Sequence, residues 1–133
     1  MPYYVVDKTI GALDTINKNL SDAKVLIVGL SYKDNIDDIR ESPALDIYDL
    51  LMDAGAQVEV LDPFVTKFKD KSGQLVFVNQ NAEEIDYQAY DVALILAKHQ
   101  GIDYQRLLKE SHAIVDMKHI YQQKNAKIFK IGG

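Results

Sequence analysis

The chain has 133 residues, 47% hydrophobic and 26% charged, which is the make-up of one folded domain able to bury a core and too short for a two-domain enzyme. Its 15 Lys and Arg stand against 20 Asp and Glu, a net charge of -5, which excludes nonspecific nucleic-acid binding and requires any anionic ligand to be held locally. The absence of cysteine excludes disulfides, thiolate metal sites and a thiol nucleophile, and no run reaches the ~18 apolar residues of a membrane span, so a cytoplasmic, membrane-free protein without a leader is expected.

Between residues 3 and 20, Val6, Ile10, Leu13, Ile16 and Leu20 recur every three or four positions, the period of an amphipathic helix that exits at Ser21-Asp22. Val25-Leu26-Ile27-Val28 then forms a continuous apolar run closed by Gly29, the pattern of a parallel strand buried on both faces. A well-punctuated helix follows: Ser42 suits the N-cap, Pro43 the first turn, Asp46 the positive end of the dipole and Gly55 the C′ position, with Ile47, Leu50, Leu51 and Ala54 on the buried face. Further strands are predicted at Val58 to Leu61, Leu75 to Val78, Val92 to Ala97 and Ala113 to Val115, with a last one at Lys127 to Ile131 that is either irregular or an antiparallel edge. A helix is predicted at Ile102 to Glu110 and a weaker turn at Ala82 to Tyr87, while Val65 to Gln74, rich in lysine, reads as a solvated loop. Strands alternating with helices give an α/β fold: a Rossmann-like three-layer sandwich on a mostly parallel sheet of five or six strands, preceded by the N-terminal amphipathic helix.

In such a sheet ligands collect at the carboxyl ends of the strands near the topological switch point. The segment after the first strand, Gly29 to Pro43, is long for a strand-to-helix connection, and long connections are disproportionately functional. It carries one glycine where a dinucleotide cradle needs three, so a standard NAD site is not expected there. It offers Tyr32, Lys33 and Arg40, a set able to cover a ring and hold a phosphate or pyrophosphate. The competing reading pairs Lys33 and Arg40 with Asp34, Asp37 and Asp38 as solvated surface charges, and spacing alone favours it. Asp62-Pro63 fits a ribose acceptor and a simple turn equally well. His99, His112 and His119 follow no metal-ligand spacing and are expected to be packing or surface residues. With no cysteine and no nucleophile elbow, no catalytic residue is expected: the chain reads as a binder.

Gly29-Leu30-Ser31-Tyr32-Lys33 followed by Asp37-Asp38-Ile39-Arg40-Glu41-Ser42-Pro43-Ala44 resembles the signature that opens the C-terminal, UDP-binding domain of the UDP-glucose/GDP-mannose dehydrogenase family. The likeness continues through Gly55-Ala56, Val58 to Leu61 and Asp62-Pro63, and the opening Met1 to Val6 resembles the end of that family's central linking helix. The resemblance implies residues 1–22 as the end of the linking and dimerisation helix and 23–133 as the UDP-sugar-binding domain. It also implies an NAD-dependent oxidation of a sugar C6 alcohol to a carboxylate, with the NAD fold and catalytic cysteine in an N-terminal domain absent from this chain. Carried over by position, Tyr32 and Lys33 match residues lining the UDP-sugar site, and Arg40 matches an arginine that reaches toward NAD. These matches reverse the odds set by spacing. Where the family commonly has Asp-x-Arg-Asn, this chain reads Asp116-Met117-Lys118-His119, so Lys118 supplies charge to the substrate without the planar fork of an arginine. The Asn35 to Leu45 wording is closer to members acting on UDP-N-acetylhexosamines. The competing functional class is a stand-alone Rossmann-like regulatory or assembly module; a phosphoacceptor form of it would need acidic residues where Ser31, Tyr32 and Lys33 stand.

Overall fold

The computed structural model describes residues 2–30 and 42–130, and every structural statement below concerns these. In chain order they form α1 (Pro2–Asp14), β1 (Lys24–Val28), α2 (Pro43–Asp53), β2 (Gln57–Leu61), β3 (Lys67–Lys69), β4 (Leu75–Phe77), β5 (Val92–Ile95), α3 (Tyr104–Glu110), β6 (Ile114–Asp116) and β7 (Ile128–Lys130). The main sheet runs β2-β1-β5-β6-β7, with all neighbours parallel. No helix is long and apolar enough to cross a membrane.

The unbroken apolar run of β1 is explained by burial on both faces. Val25 and Ile27 join one core with Val5, Leu13, Ile47, Leu51 and Leu94. Leu26 and Val28 join the other with Ile95, Leu107, Leu108 and Ile114. Helices α1 and α2 thus cover one face and α3 the other, the expected three layers. Each fully buried Leu or Ile side chain contributes about 2 kcal/mol, which is what holds α1 to the sheet through Leu13.

Both long helices end in the same device. In α2 the Gly55 amide donates to the Met52 carbonyl and the Ala56 amide to that of Leu51, with Gly55 at φ 92°, a left-handed closure of the kind predicted at that glycine. Helix α1 stops at Asp14 instead of continuing to Leu20 because Asn17 plays the same part. Asn17 sits at φ 58°, its amide donates to the Asp14 carbonyl and the Lys18 amide donates to that of Leu13. Leu20 falls instead in a single 3-10 turn, Leu20–Asp22.

The strand predicted at Leu75 to Val78 exists but lies outside the main sheet. It pairs antiparallel with β3, inside the stretch read as a solvated loop. Of Lys67-Phe68-Lys69 only Phe68 turns inward, its ring edge-on to Tyr48 of α2 at 5.0 Å. One buried residue between two lysines carries too little periodicity to be read as a strand. The last strand proves parallel to β6, with no helix in its connection, which opens on a turn closed by the Asp116 carboxylate described below.

Candidate functional site

The strand order places the switch point between β1 and β5. From β1 the chain passes through α2 to β2 on one side, and from β5 through α3 to β6 on the other. Four segments meet at the carboxyl edge: Gly29-Leu30 after β1, Asp62-Pro63 after β2, Leu96 to His99 after β5, and Asp116 to Lys118 after β6.

Gly29 is required where it stands. It has φ 92°, and a Cβ built on it would lie 2.7 Å from the Ala97 Cβ and 2.8 Å from the Ala97 nitrogen. The ends of β1 and β5 therefore touch backbone to backbone, with the Gly29 amide donating to the Leu61 carbonyl at 2.9 Å and the Leu96 amide to that of Val28 at 3.0 Å.

Leu30 is held on both sides of its peptide units. Its amide donates to Asp62 Oδ2 at 2.7 Å, and its carbonyl accepts from Ser42 Oγ at 2.6 Å. Ser42 is also the N-cap of α2, accepting from the Ala44 amide as the sequence predicts. The two ends of the intervening segment 31–41 are thus joined at one buried point. Tyr32, Lys33 and Arg40, together with Asp37 and Asp38, lie outside the described residues.

Asp62 is fully buried and committed. Besides the Leu30 amide, it accepts from the Phe64 amide through Oδ1 at 2.8 Å, and its Oδ2 lies 3.2 Å from Nε2 of His99, whose side chain is also 0% exposed. Because the carboxylate only accepts, His99 carries its proton on Nε2. Burial opposes the charge on Asp62, but the hydrogen bond from His99, then those from the Leu30 and Phe64 amides, outweigh it and hold the carboxyl below its usual value of 3.8. Of the two readings of Asp62-Pro63, the structure supports the turn.

From His99 the network continues across the edge. The His99 amide donates to the Tyr104 hydroxyl at 2.8 Å, and the Tyr121 hydroxyl donates to the Tyr104 carbonyl at 2.6 Å. The Tyr121 amide donates to Asp116 Oδ2, while Asp116 Oδ1 accepts from the amides of Lys118 and Ile120, each at 3.1 Å. Asp116 is fully buried. It closes the turn that presents exposed Lys118 at the same edge from which segment 31–41 departs, with His119 left-handed beside it at φ 53°.

His99 is the residue that reasoning from sequence passed over, treating it with exposed His112 and His119. Its position four residues past the end of β5, level with an Asp-Pro at the end of β2, is the signal that could have singled it out. The described residues make a hydrogen-bonded floor at the switch point, in which Gly29 lies against Ala97 and beside which Lys118 is exposed.

Residues 26–123 match the model of the UDP-glucose/GDP-mannose dehydrogenase family, UDP binding domain. The chain is 30% identical over 129 residues to a UDP-glucose 6-dehydrogenase from Rickettsia bellii, covering 90% of this chain and 28% of that protein. It is 33% identical over 128 residues to a UDP-N-acetyl-D-mannosamine dehydrogenase from Methanocaldococcus jannaschii, covering 96% of this chain and 25% of that one. Its fold matches that of a UDP-D-ManNAc dehydrogenase from Pyrococcus horikoshii with a TM-score of 0.77 at 23% identity, covering 98% of this chain and 30% of that one. The chain thus spans between a quarter and a third of the length of these relatives.

Proposed function

Because the chain belongs to the UDP-glucose/GDP-mannose dehydrogenase family through its UDP binding domain, we propose that its switch-point edge binds the uridine diphosphate of a nucleotide sugar. The observation that carries this reading is the family match across 26–123, which takes in the whole of segment 31–41, pinched at its base beside the strand ends. In this reading Tyr32 covers and Lys33 and Lys118 hold the UDP-sugar, and Arg40 reaches toward NAD bound by another part of the enzyme. The complete enzyme oxidises the C6 alcohol of UDP-glucose or a UDP-N-acetylhexosamine to the uronic acid with NAD, in the cytoplasm. With no cysteine, this chain holds no thiol nucleophile for that oxidation, and by itself it is proposed to be inactive as a dehydrogenase.

Calorimetric titration tests the reading. UDP is expected to bind in the millimolar range, because the site is only partly built by this chain, and Lys33→Ala is expected to weaken it by about tenfold, the size of one charge-assisted hydrogen bond. A folded chain that shows no heat of binding with millimolar UDP would sink it.

Residues 1–22 are proposed as the end of the linking helix, through which two copies pair. Much of the apolar stripe read there is used within the domain: Leu13 is buried and Val6, Ile16 and Leu20 pack against the core. The outer face keeps Tyr3, 73% exposed, and Ile10, 40% exposed, two helical turns apart. Sedimentation velocity is expected to show reversible self-association that Ile10→Glu abolishes; a monomer at every concentration rules this surface out.

A further inference from the structure

We infer that Asp62 and His99 are positioning residues of the nucleotide site, a buried clasp that fixes the base of segment 31–41 and through it the residues that meet the ligand. The inference rests on the UDP reading above and adds two residues to it that make no contact with ligand themselves.

The argument is geometric. A segment of this length can hold a ligand group in place only if its ends are fixed, and both ends converge on Leu30. Ser42 takes the Leu30 carbonyl and Asp62 takes its amide. Ser42 stands at the start of α2, so its bond closes the connection but does not tie Leu30 to the neighbouring strands. That tie comes from Asp62, which directly follows β2, and from His99, which stands beyond β5 and keeps the second lone-pair direction of Asp62 Oδ2 occupied. One carboxylate therefore ties the exits of β1, β2 and β5 together in a place closed to water. The His99 ring is itself fixed, lying against Phe64 with centroids 5.1 Å apart, while its backbone amide is held by the Tyr104 hydroxyl. A buried pair of this kind contributes little net stability over an apolar replacement of the same shape, so its use here is geometric definition.

The test compares Asp62→Asn, His99→Phe and His99→Gln in the full chain. Asparagine keeps the size but removes one acceptor oxygen. Phenylalanine keeps the ring against Phe64 but removes Nε2, and glutamine restores a nitrogen donor near the same place. Three quantities are read: the melting temperature, hydrogen exchange of the Leu30 amide by NMR in the free chain, and UDP affinity by calorimetry. Asp62→Asn and His99→Phe are expected to weaken UDP about tenfold and to speed Leu30 exchange by a similar factor, the loss of one charge-assisted hydrogen bond. The Ile27 and Leu94 amides should keep their rates, and His99→Gln should stay within about threefold of the unsubstituted chain on both measures. A role in stability alone would lower the melting temperature and speed all three amides together, which overturns the inference. So does UDP affinity that is unchanged in Asp62→Asn and His99→Phe. If the unsubstituted chain takes up no UDP, the functional reading fails separately; the clasp is then supported by selective acceleration of Leu30 and overturned without it.

Discussion

Gly29→Ala is expected to cost roughly 3 kcal/mol of stability, from about 1–2 for an L-residue held left-handed and about 1–3 for overpacking. The two contributions act at once because the backbone there is at φ 92° and the new methyl would meet Ala97 at distances below any real contact. Relief would require parting the ends of β1 and β5, and the hydrogen bond from the Leu96 amide to the Val28 carbonyl with them. Urea denaturation measures the loss, and a decrease below about 1 kcal/mol would show that the close approach is not needed. Gly11→Ala supplies the contrast. Gly11 lies inside α1 with nothing within 4 Å of the added Cβ, so alanine there should stabilise by about 0.5–1 kcal/mol.

Asp116→Ala is expected to be nearly as damaging. The buried carboxylate satisfies the amides of Lys118, Ile120 and Tyr121, and each donor left unpaired costs about 1–3 kcal/mol, moderated where the turn opens to water. A loss of roughly 3 kcal/mol, or about 10 °C in melting temperature, is the expected result. The turn also sets the position of Lys118, so UDP affinity should fall at least as far in Asp116→Ala as in Lys118→Ala. A melting shift under about 2 °C would mean that the turn is held by something other than this carboxylate.

What the residues disclosed in advance was mainly local. Ser42, Pro43 and Gly55 announce α2 because capping chemistry is written within a few positions, and β1 announces itself because burial on both faces leaves no polar residue in Val25 to Val28. The end of α1 was hidden because asparagine, not glycine, takes the left-handed position at residue 17. Strand β3 was hidden because one buried phenylalanine is too short a pattern. The Asp62–His99 pair was invisible for a different reason: it joins the segments that follow two strands not neighbouring in the sheet, β2 and β5, through contacts that no spacing rule encodes. The parallel direction of β7 was hidden because its short connection from β6 contains no helix to announce a crossover. The family signature lies chiefly in segment 31–41, whereas the floor beneath it is assembled from residues with no signature at all.

The joined base of that segment has a consequence for how such a domain can diversify. The hydrogen bond from Ser42 to the Leu30 carbonyl joins the end of β1 to the start of α2 whatever number of residues stands between them. Between two ends fixed in this way, each doubling of the connection's length costs only about 0.6 kcal/mol more. The joint of Leu30, Ser42 and Asp62 is thus a socket that accepts connections of different length between β1 and α2.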